Sequence, residues 1–213
     1  MKLKKADLID AGVSFIGIKG LSGTGTTVAS LVMREHFTKS VILPKDHYTL
    51  KAIVENGDFA RKVFSRTFNN MQEVLDCILQ SQCPGLLKQV NCDCAPYIAE
   101  MFDHDIQSLL NQKYTPSPII TEGMILNQIQ DVWNLVTDKV SIYAPQEIIT
   151  QNLINREGRD NSRARNESLV LLDQEGEQGS IINNDGKLST FKRKILNLCK
   201  TIDVSNRTLV GIE

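Results

Sequence analysis

The sequence lacks the features that would place the chain in a membrane, in a secretory pathway or on a nucleic acid. No apolar run approaches the roughly 20 residues that a membrane-spanning helix needs. The first ten residues, MKLKKADLID, contain lysines but no apolar stretch after them, so they do not read as a signal peptide. The formal net charge is -1, which gives no electrostatic case for binding nucleic acid or a membrane surface. We therefore expect a cytoplasmic protein with no nucleic-acid and no membrane partner.

Metal-binding patterns are also scarce. The three histidines are scattered along the chain and suggest no metal triad. Cys83, Cys92 and Cys94 lie close together with His104 downstream, but their spacing matches no common zinc pattern. A zinc site stays open as an alternative, while thiols on an inserted helical segment are the simpler interpretation. Without an export signal, the five cysteines are expected to be reduced.

The chain has the size and composition of one globular domain. Its 213 residues are 41% hydrophobic and 23% charged, which is ordinary for a protein with a sizeable core. Short apolar, β-favouring segments alternate with segments of helical periodicity, and this alternation predicts a parallel sheet with helices on both faces. The predicted strands cover residues 13–18, 40–43, 118–121, 139–144 and 180–183, and the predicted helices cover 28–37, 59–82, 96–113, 146–155, a segment ending near 174, and 191–202.

A glycine-rich segment, GLSGTGTT at residues 20–27, nearly matches the phosphate-binding pattern G-x-x-x-x-G-K-[ST]. Thr26 stands where that pattern has lysine, and Thr27 stands where a hydroxyl binds Mg²⁺. Glycines let successive backbone N–H groups turn inward at the start of a helix, where phosphate binds. A glycine-rich turn without any ligand is the alternative. The predicted nucleotide-binding residues are Gly20, Ser22, Gly23, Thr24, Gly25, Thr26 and Thr27.

Further polar residues follow other predicted strands. Asp46 comes soon after the second strand, and Glu122 comes directly after the third. Ligands of parallel sheets bind beyond the carboxyl ends of the strands, so these residues and the glycine-rich segment should meet at one edge. As plain alternatives, Asp46 can serve as a helix cap or turn residue and Glu122 as a simple strand-end charge.

Several segments resemble the small-molecule P-loop kinases. GLSGTGTTVA is similar to the loop of archaeal-type cytidylate kinases, which are active although Thr-Thr follows their glycines. ILPKDHY at residues 42–48 and PIITEGMIL at residues 118–126 resemble strand ends of uridine and nicotinamide riboside kinases. REGRDNSRAR at residues 156–165 resembles the arginine-rich lid of uridine kinase and dephospho-coenzyme A kinase. SIINNDGKLSTFKRKILNL resembles the closing strand and helix of the latter.

The resemblance implies a single P-loop NTPase domain, with a three-layer α/β fold and a five-stranded parallel sheet. It implies an acceptor-binding helical insertion at about residues 49–115 and a lid at about residues 156–166. Asp46 would be the general base, and Thr27 would bind Mg²⁺. His47, Tyr48 and Glu122 would contact the acceptor, with Glu122 alternatively in the magnesium shell. The lid arginines that would supply the charge missing at Thr26 are Arg156, Arg159, Arg163 and Arg165.

These implications predict a kinase that uses Mg²⁺ and ATP to phosphorylate a nucleoside, a nucleotide or a related small acceptor. The rival prediction is a nucleotide-binding or scaffold protein that has lost catalysis. The two differ in whether positive charge is restored elsewhere, and Lys19, Lys45 and the lid arginines are candidates to restore it. A GTPase switch is disfavoured because the sequence has no N-K-x-D segment for base recognition. Acceptor identity and oligomeric state do not follow from the sequence.

Overall fold

A computed structural model describes residues 2–81, 86–124, 126–157, 160 and 179–202. The five strands are β1 (Phe15–Lys19), β2 (Val41–Pro44), β3 (Ile119–Gly123), β4 (Asp138–Tyr143) and β5 (Ser180–Asn183). The helices are α1 (Lys5–Asp10), α2 (Thr26–His36), α3 (Lys45–Glu55), α4 (Gly57–Phe64), α5 (Met71–Gln80), α6 (Leu86–Asp93), α7 (Ala95–Leu110), α8 (Gln130–Leu135), α9 (Gln146–Glu157) and α10 (Leu188–Cys199), with a 3₁₀ turn at Leu126–Gln128.

The strands form one parallel sheet in the order β2-β3-β1-β4-β5. Pro44 at the end of β2 is opposite Glu122 in β3, and Lys19 at the end of β1 is opposite Gly123. Three strands therefore end side by side, as the sequence predicts. The segments that follow them all begin at the same edge of the sheet.

Successive apolar side chains along each strand point to opposite faces of the sheet. Ile16 and Ile120 point to one face, where they pack with α2 and α10. Phe15 and Ile119 point to the opposite face, where they pack with the helices between β2 and β3 and with α8. Helices thus cover both faces, which confirms the predicted three-layer fold.

The described part of the connection from β2 to β3 consists mainly of five helices, α3 to α7. Its assignment to acceptor binding stays a prediction. Helix α3 begins at Lys45, immediately after the proline that ends β2, and this helix was not predicted. No helix in the described ranges is long and apolar enough to cross a membrane.

The single helix predicted at residues 59–82 is wrong. Helix α4 ends at Phe64 because Ser65 adopts the left-handed conformation with φ 56°. A new helix, α5, begins at Met71, where the side chain of Asn70 accepts a hydrogen bond from the Glu73 backbone N–H. The apolar period continues across this break because both helices face the same core, so periodicity alone does not show the break. The helix predicted to end near residue 174 lies outside the described residues.

Candidate functional site

The glycine-rich loop joins β1 to α2 at the centre of the sheet. Gly23 and Gly25 have φ values of 91° and 106°, which residues with a side chain rarely adopt. The space beside them is also filled, since a Cβ on Gly25 would lie 2.9 Å from the Phe191 ring. Helix α2 begins directly after Gly25, so its first backbone N–H groups and the positive end of its dipole are available to an anion.

A cavity of about 610 Å³ opens beside this loop at the carboxyl edge of the sheet. Its wall combines the loop with residues that follow β2, β3 and β5 and with the end of α9. Outside the loop, the main lining residues are Asp46, Glu122, Met124, Asn152, Asn155, Arg156, Asn184, Gly186, Leu188 and Phe191. The predicted convergence of Asp46 and Glu122 with the loop is therefore seen in the structure.

Side chains from α9 and from the end of β5 hold the loop in its shape. Asn152 donates to the Gly23 carbonyl at 2.7 Å, and Asn184 donates to the Thr24 carbonyl at 2.8 Å. Arg156 donates through Nη2 to the Ser22 hydroxyl at 3.0 Å. Sequence reasoning placed Arg156 here but missed the two asparagines. The sequence could have indicated Asn184, because it directly follows the last predicted strand and so lies at the same edge of the sheet as the other site residues.

Glu122 connects β3 to the start of α2. It is only 6% exposed, and its carboxylate lies 3.4 Å from the Thr27 hydroxyl, which donates to it. Burial raises the pKa of Glu122, and the negative charge of Asp46 raises it further. Hydrogen bonds from the hydroxyls of Thr26 and Thr27 and the positive charge of Lys45 act in the opposite direction. Glu122 is therefore coupled to both threonines and to Asp46.

Asp46 lies in the first turn of α3, at the rim of the cavity. Its side chain is 69% exposed and forms an ion pair with Lys45, whose ammonium Nζ lies 2.8 Å from Asp46 Oδ1. An exposed carboxylate in this position is accessible to a molecule that enters the cavity.

The structure places His47 and Tyr48 outside the residues that line the cavity. His47 is exposed, and its ring meets the Tyr48 ring edge-on. Tyr48 is 3% exposed, packs on Phe102, and donates its hydroxyl to Asp105 at 2.8 Å. Burial, and then Asp105, raise the pKa of Tyr48. The position of Tyr48 is that of a core residue of the helical segment, and its predicted acceptor contact is not supported by this placement.

The remaining predictions concern the lid and the metals. Arg159, Arg163 and Arg165 lie outside the described residues, as does Cys83. Within the part of the chain that is described, no group of three His, Cys, Asp or Glu side chains could hold a metal ion. Cys92 is exposed and Cys94 is buried, so the described thiols do not support the zinc alternative.

The Thr27 hydroxyl and the Glu122 carboxylate are the kind of hard oxygen donors that Mg²⁺ accepts. Two protein donors suit this ion, because it commonly takes its other ligands from water and from the phosphates of a nucleotide. The residues present therefore fit a magnesium–nucleotide complex.

The strand order, the loop between β1 and α2 and the helices on both faces define a three-layer α/β fold of the P-loop NTPase type. The structure of TT1252 from Thermus thermophilus matches this fold with a TM-score of 0.61 and a sequence identity of 15%. The match covers 89% of this chain and 98% of the TT1252 chain. A gluconokinase from Sinorhizobium meliloti 1021 matches with a TM-score of 0.52 and a sequence identity of 11%. The match covers 94% of this chain and 98% of the gluconokinase chain. At these identities the likeness shows the fold alone.

Sequence comparisons add little. No family model matches the chain. The RNA polymerase subunit beta' of Shewanella loihica is 28% identical over 78 residues, which are 37% of this chain. The matched segment covers only 6% of the length of that curated relative.

Proposed function

We propose that this protein is a small-molecule kinase that transfers the γ-phosphoryl group of ATP to a nucleoside, a nucleotide or a related acceptor. The observation that carries the proposal is the single cavity in which the glycine-rich loop, Thr27, Glu122, Asp46 and Arg156 converge. A solved structure with the same fold is that of a gluconokinase, which supports a phosphotransferase. We also propose that the protein acts in the cytoplasm.

The loop and the start of α2 would hold the triphosphate. Backbone N–H groups between Gly20 and Thr27 point toward phosphate oxygens in such loops, and the helix dipole favours their negative charge. Thr27 and Glu122 would hold Mg²⁺, which neutralises charge on the β- and γ-phosphates when bound. Leu188 and Phe191 give the cavity an apolar wall beside the loop, which suits the base of the nucleotide.

Asp46 and Arg156 would act on the transferred group. Asp46 is exposed at the cavity rim and would accept the proton of the acceptor hydroxyl as the new P–O bond forms. The bond between the γ-phosphorus and the β-bridging oxygen breaks in the same transfer, and ADP leaves. Arg156 reaches the loop at Ser22 and would supply positive charge near the equatorial oxygens.

The test is a screen for acceptor-dependent ADP release. Nucleosides, nucleoside monophosphates and dephospho-coenzyme A are each incubated with the protein, ATP and Mg²⁺. Phosphorylation of an acceptor should depend on Mg²⁺ and should be lost in Asp46→Asn. Acceptor phosphorylation that continues at the full rate in Asp46→Asn would show that Asp46 is not the catalytic base. If no acceptor is phosphorylated, the catalytic proposal is wrong.

A second candidate function is nucleotide binding without catalysis. It is favoured by Thr26, because this residue leaves the loop without its lysine and is hydrogen-bonded to Glu122. Calorimetric titration with Mg²⁺ and each nucleotide separates the possibilities. Binding without turnover supports this candidate, and absence of binding at millimolar nucleotide contradicts both.

A further inference from the structure

Lys45 is a buried cation beneath the candidate site. Its side chain is 0% exposed although it begins α3 at the carboxyl edge of the sheet. A buried ammonium is costly unless a carboxylate or another acceptor accompanies it, and Asp46 supplies that partner at 2.8 Å. Lys45 does not line the cavity, whereas Asp46 and Glu122 both do. Lys45 therefore lies behind the two carboxylates that face the cavity.

The path of the Lys45 side chain depends on Gly123. Pro44 is opposite Glu122 across the β2–β3 pair, so Lys45 comes next to Gly123. A Cβ on Gly123 would lie 2.8 Å from Lys45 Cε and 2.9 Å from Lys45 Cβ. The lysine stem thus crosses the glycine at a distance that no side chain at position 123 allows. Lys45, Glu122 and Gly123 form one packed unit.

Lys45 interacts with two negative charges, those of Asp46 and Glu122. The negative charge of Asp46 opposes the ionisation of Glu122, and the positive charge of Lys45 favours it. A triphosphate entering the same cavity brings further negative charge, and the loop offers Thr26 where a lysine would be. Without Lys45, two uncompensated carboxylates would face the phosphates.

We propose that Lys45 is a positioning residue, whose ammonium fixes Asp46 and offsets the negative charge of the Asp46–Glu122 pair so that the cavity accepts a triphosphate. It acts through the carboxylates and does not contact the phosphates. This role presupposes the nucleotide site proposed above.

The test measures the affinity for Mg²⁺–ATP by calorimetry. Lys45→Met keeps the length and apolar stem of the side chain but removes its charge. It should weaken binding by about tenfold or more, since it leaves like charges close together in a partly buried site. Adding Asp46→Asn to Lys45→Met should restore most of the affinity, because it removes the charge that the lysine offsets. Lys51→Met, on the same helix but with a side chain that is 40% exposed, is the matched control and should bind like the unmodified protein.

Gly123→Ala provides a second variant in case Lys45→Met does not fold. It leaves every charge in place but displaces the lysine stem, so it should also weaken binding, and Asp46→Asn should again relieve the loss. If Lys45→Met folds and binds Mg²⁺–ATP with normal affinity, the inference is overturned. If Lys45→Met does not fold, normal affinity in Gly123→Ala overturns it. A loss that Asp46→Asn does not relieve also overturns it, since the lysine would then be only structural. If the unmodified protein binds no nucleotide, the proposed function itself fails, and the role of Lys45 fails with it.

Discussion

Asp46 is the single residue whose removal should affect chemistry most and binding least. Its carboxylate is exposed at the cavity rim, where it can take a proton from an acceptor. Asp46→Asn keeps the shape of the side chain but is a much weaker base, so kcat should fall by roughly 10²–10⁴ with little change in ATP affinity. Asp58→Asn, on the exposed surface of α4, is the control and should turn over normally. Full activity in Asp46→Asn would remove this residue from the catalytic machinery.

Arg156 and Thr26 form a second test at the scale of the residue. Of the arginines predicted to form a lid, Arg156 is the one that the structure describes, and it contacts the loop at Ser22. Arg156→Ala should lower kcat by about 10³, by analogy with arginines that stabilise transferred phosphoryl groups. Adding Thr26→Lys to the Arg156→Ala protein should tighten triphosphate binding, because the new charge reaches the outer phosphates. It should not restore turnover. Calorimetry and single-turnover kinetics separate the two effects. Normal turnover in Arg156→Ala would exclude a catalytic role for the arginine.

At the scale of the element, the turn after β5 connects the last strand to the glycine-rich loop. Asn184 is 7% exposed, donates to the Thr24 carbonyl and accepts from the Gly186 N–H at 3.0 Å. Asn184→Ala leaves both backbone groups without this partner and should cost about 1–3 kcal/mol of unfolding free energy. Thermal melting should show a decrease of several degrees, since 1 kcal/mol corresponds to roughly 2–4 °C in a domain of this size. Asn183→Ala, at the neighbouring exposed position, should leave the melting temperature unchanged, and an equal decrease in both variants would contradict the assignment.

Sequence patterns predict the strands better than the connections between them. The predicted strands agree with the observed ones to within a few residues, because each is a short β-favouring run bounded by glycine, proline or polar residues. Helix α3 was missed because it starts without a spacer after Pro44. The break at Ser65 was missed because a left-handed residue leaves no trace in the apolar period.

The site residues that the sequence predicts are those that follow a strand. The loop, Asp46 and Glu122 are identified by what precedes them in the chain, namely the end of a strand. Tyr48 was assigned by resemblance, and tertiary packing against Phe102 and Asp105 instead turns it inward. Lys45 is named from the sequence as a candidate charge, but its burial against Gly123 and the contact of Asn152 with the loop join elements that are distant in sequence. A single sequence does not specify such contacts.

At the scale of the whole molecule, the two faces of the sheet protect different thiols. Cys94 lies in the core on the α3 and α7 face, where burial raises the pKa of its thiol to about 12, with the Asp93 charge adding to the effect. Cys199 lies in the core on the α2 and α10 face, where burial raises the pKa of its thiol to about 11. At pH 8 both should stay protonated and unreactive while the protein is folded, because the thiolate is the nucleophile. Cys92 is exposed and should be alkylated before Cys94 and Cys199.

Mass spectrometry of iodoacetamide-treated protein measures this order. Cys94 and Cys199 should become reactive together at the denaturant concentration where the fold is lost, since each core depends on the shared sheet. Early modification of one of them alone would show that its face opens independently.

Nucleotide binding should stabilise the whole domain, because the cavity joins the loop, α3, α9 and the end of β5. A ligand at 100 times its Kd adds about 2.7 kcal/mol to the unfolding free energy, which corresponds to roughly 5–10 °C here. We therefore expect ATP with Mg²⁺ to raise the melting temperature, and ATP with a chelator to raise it much less. Thr27→Ala should narrow this difference, since it removes a hydroxyl that would face the metal. Thr201→Ala, which alters a hydroxyl far along the chain at the end of α10, should preserve the difference. A melting temperature that no nucleotide changes would show that the loop is only a glycine-rich turn between β1 and α2.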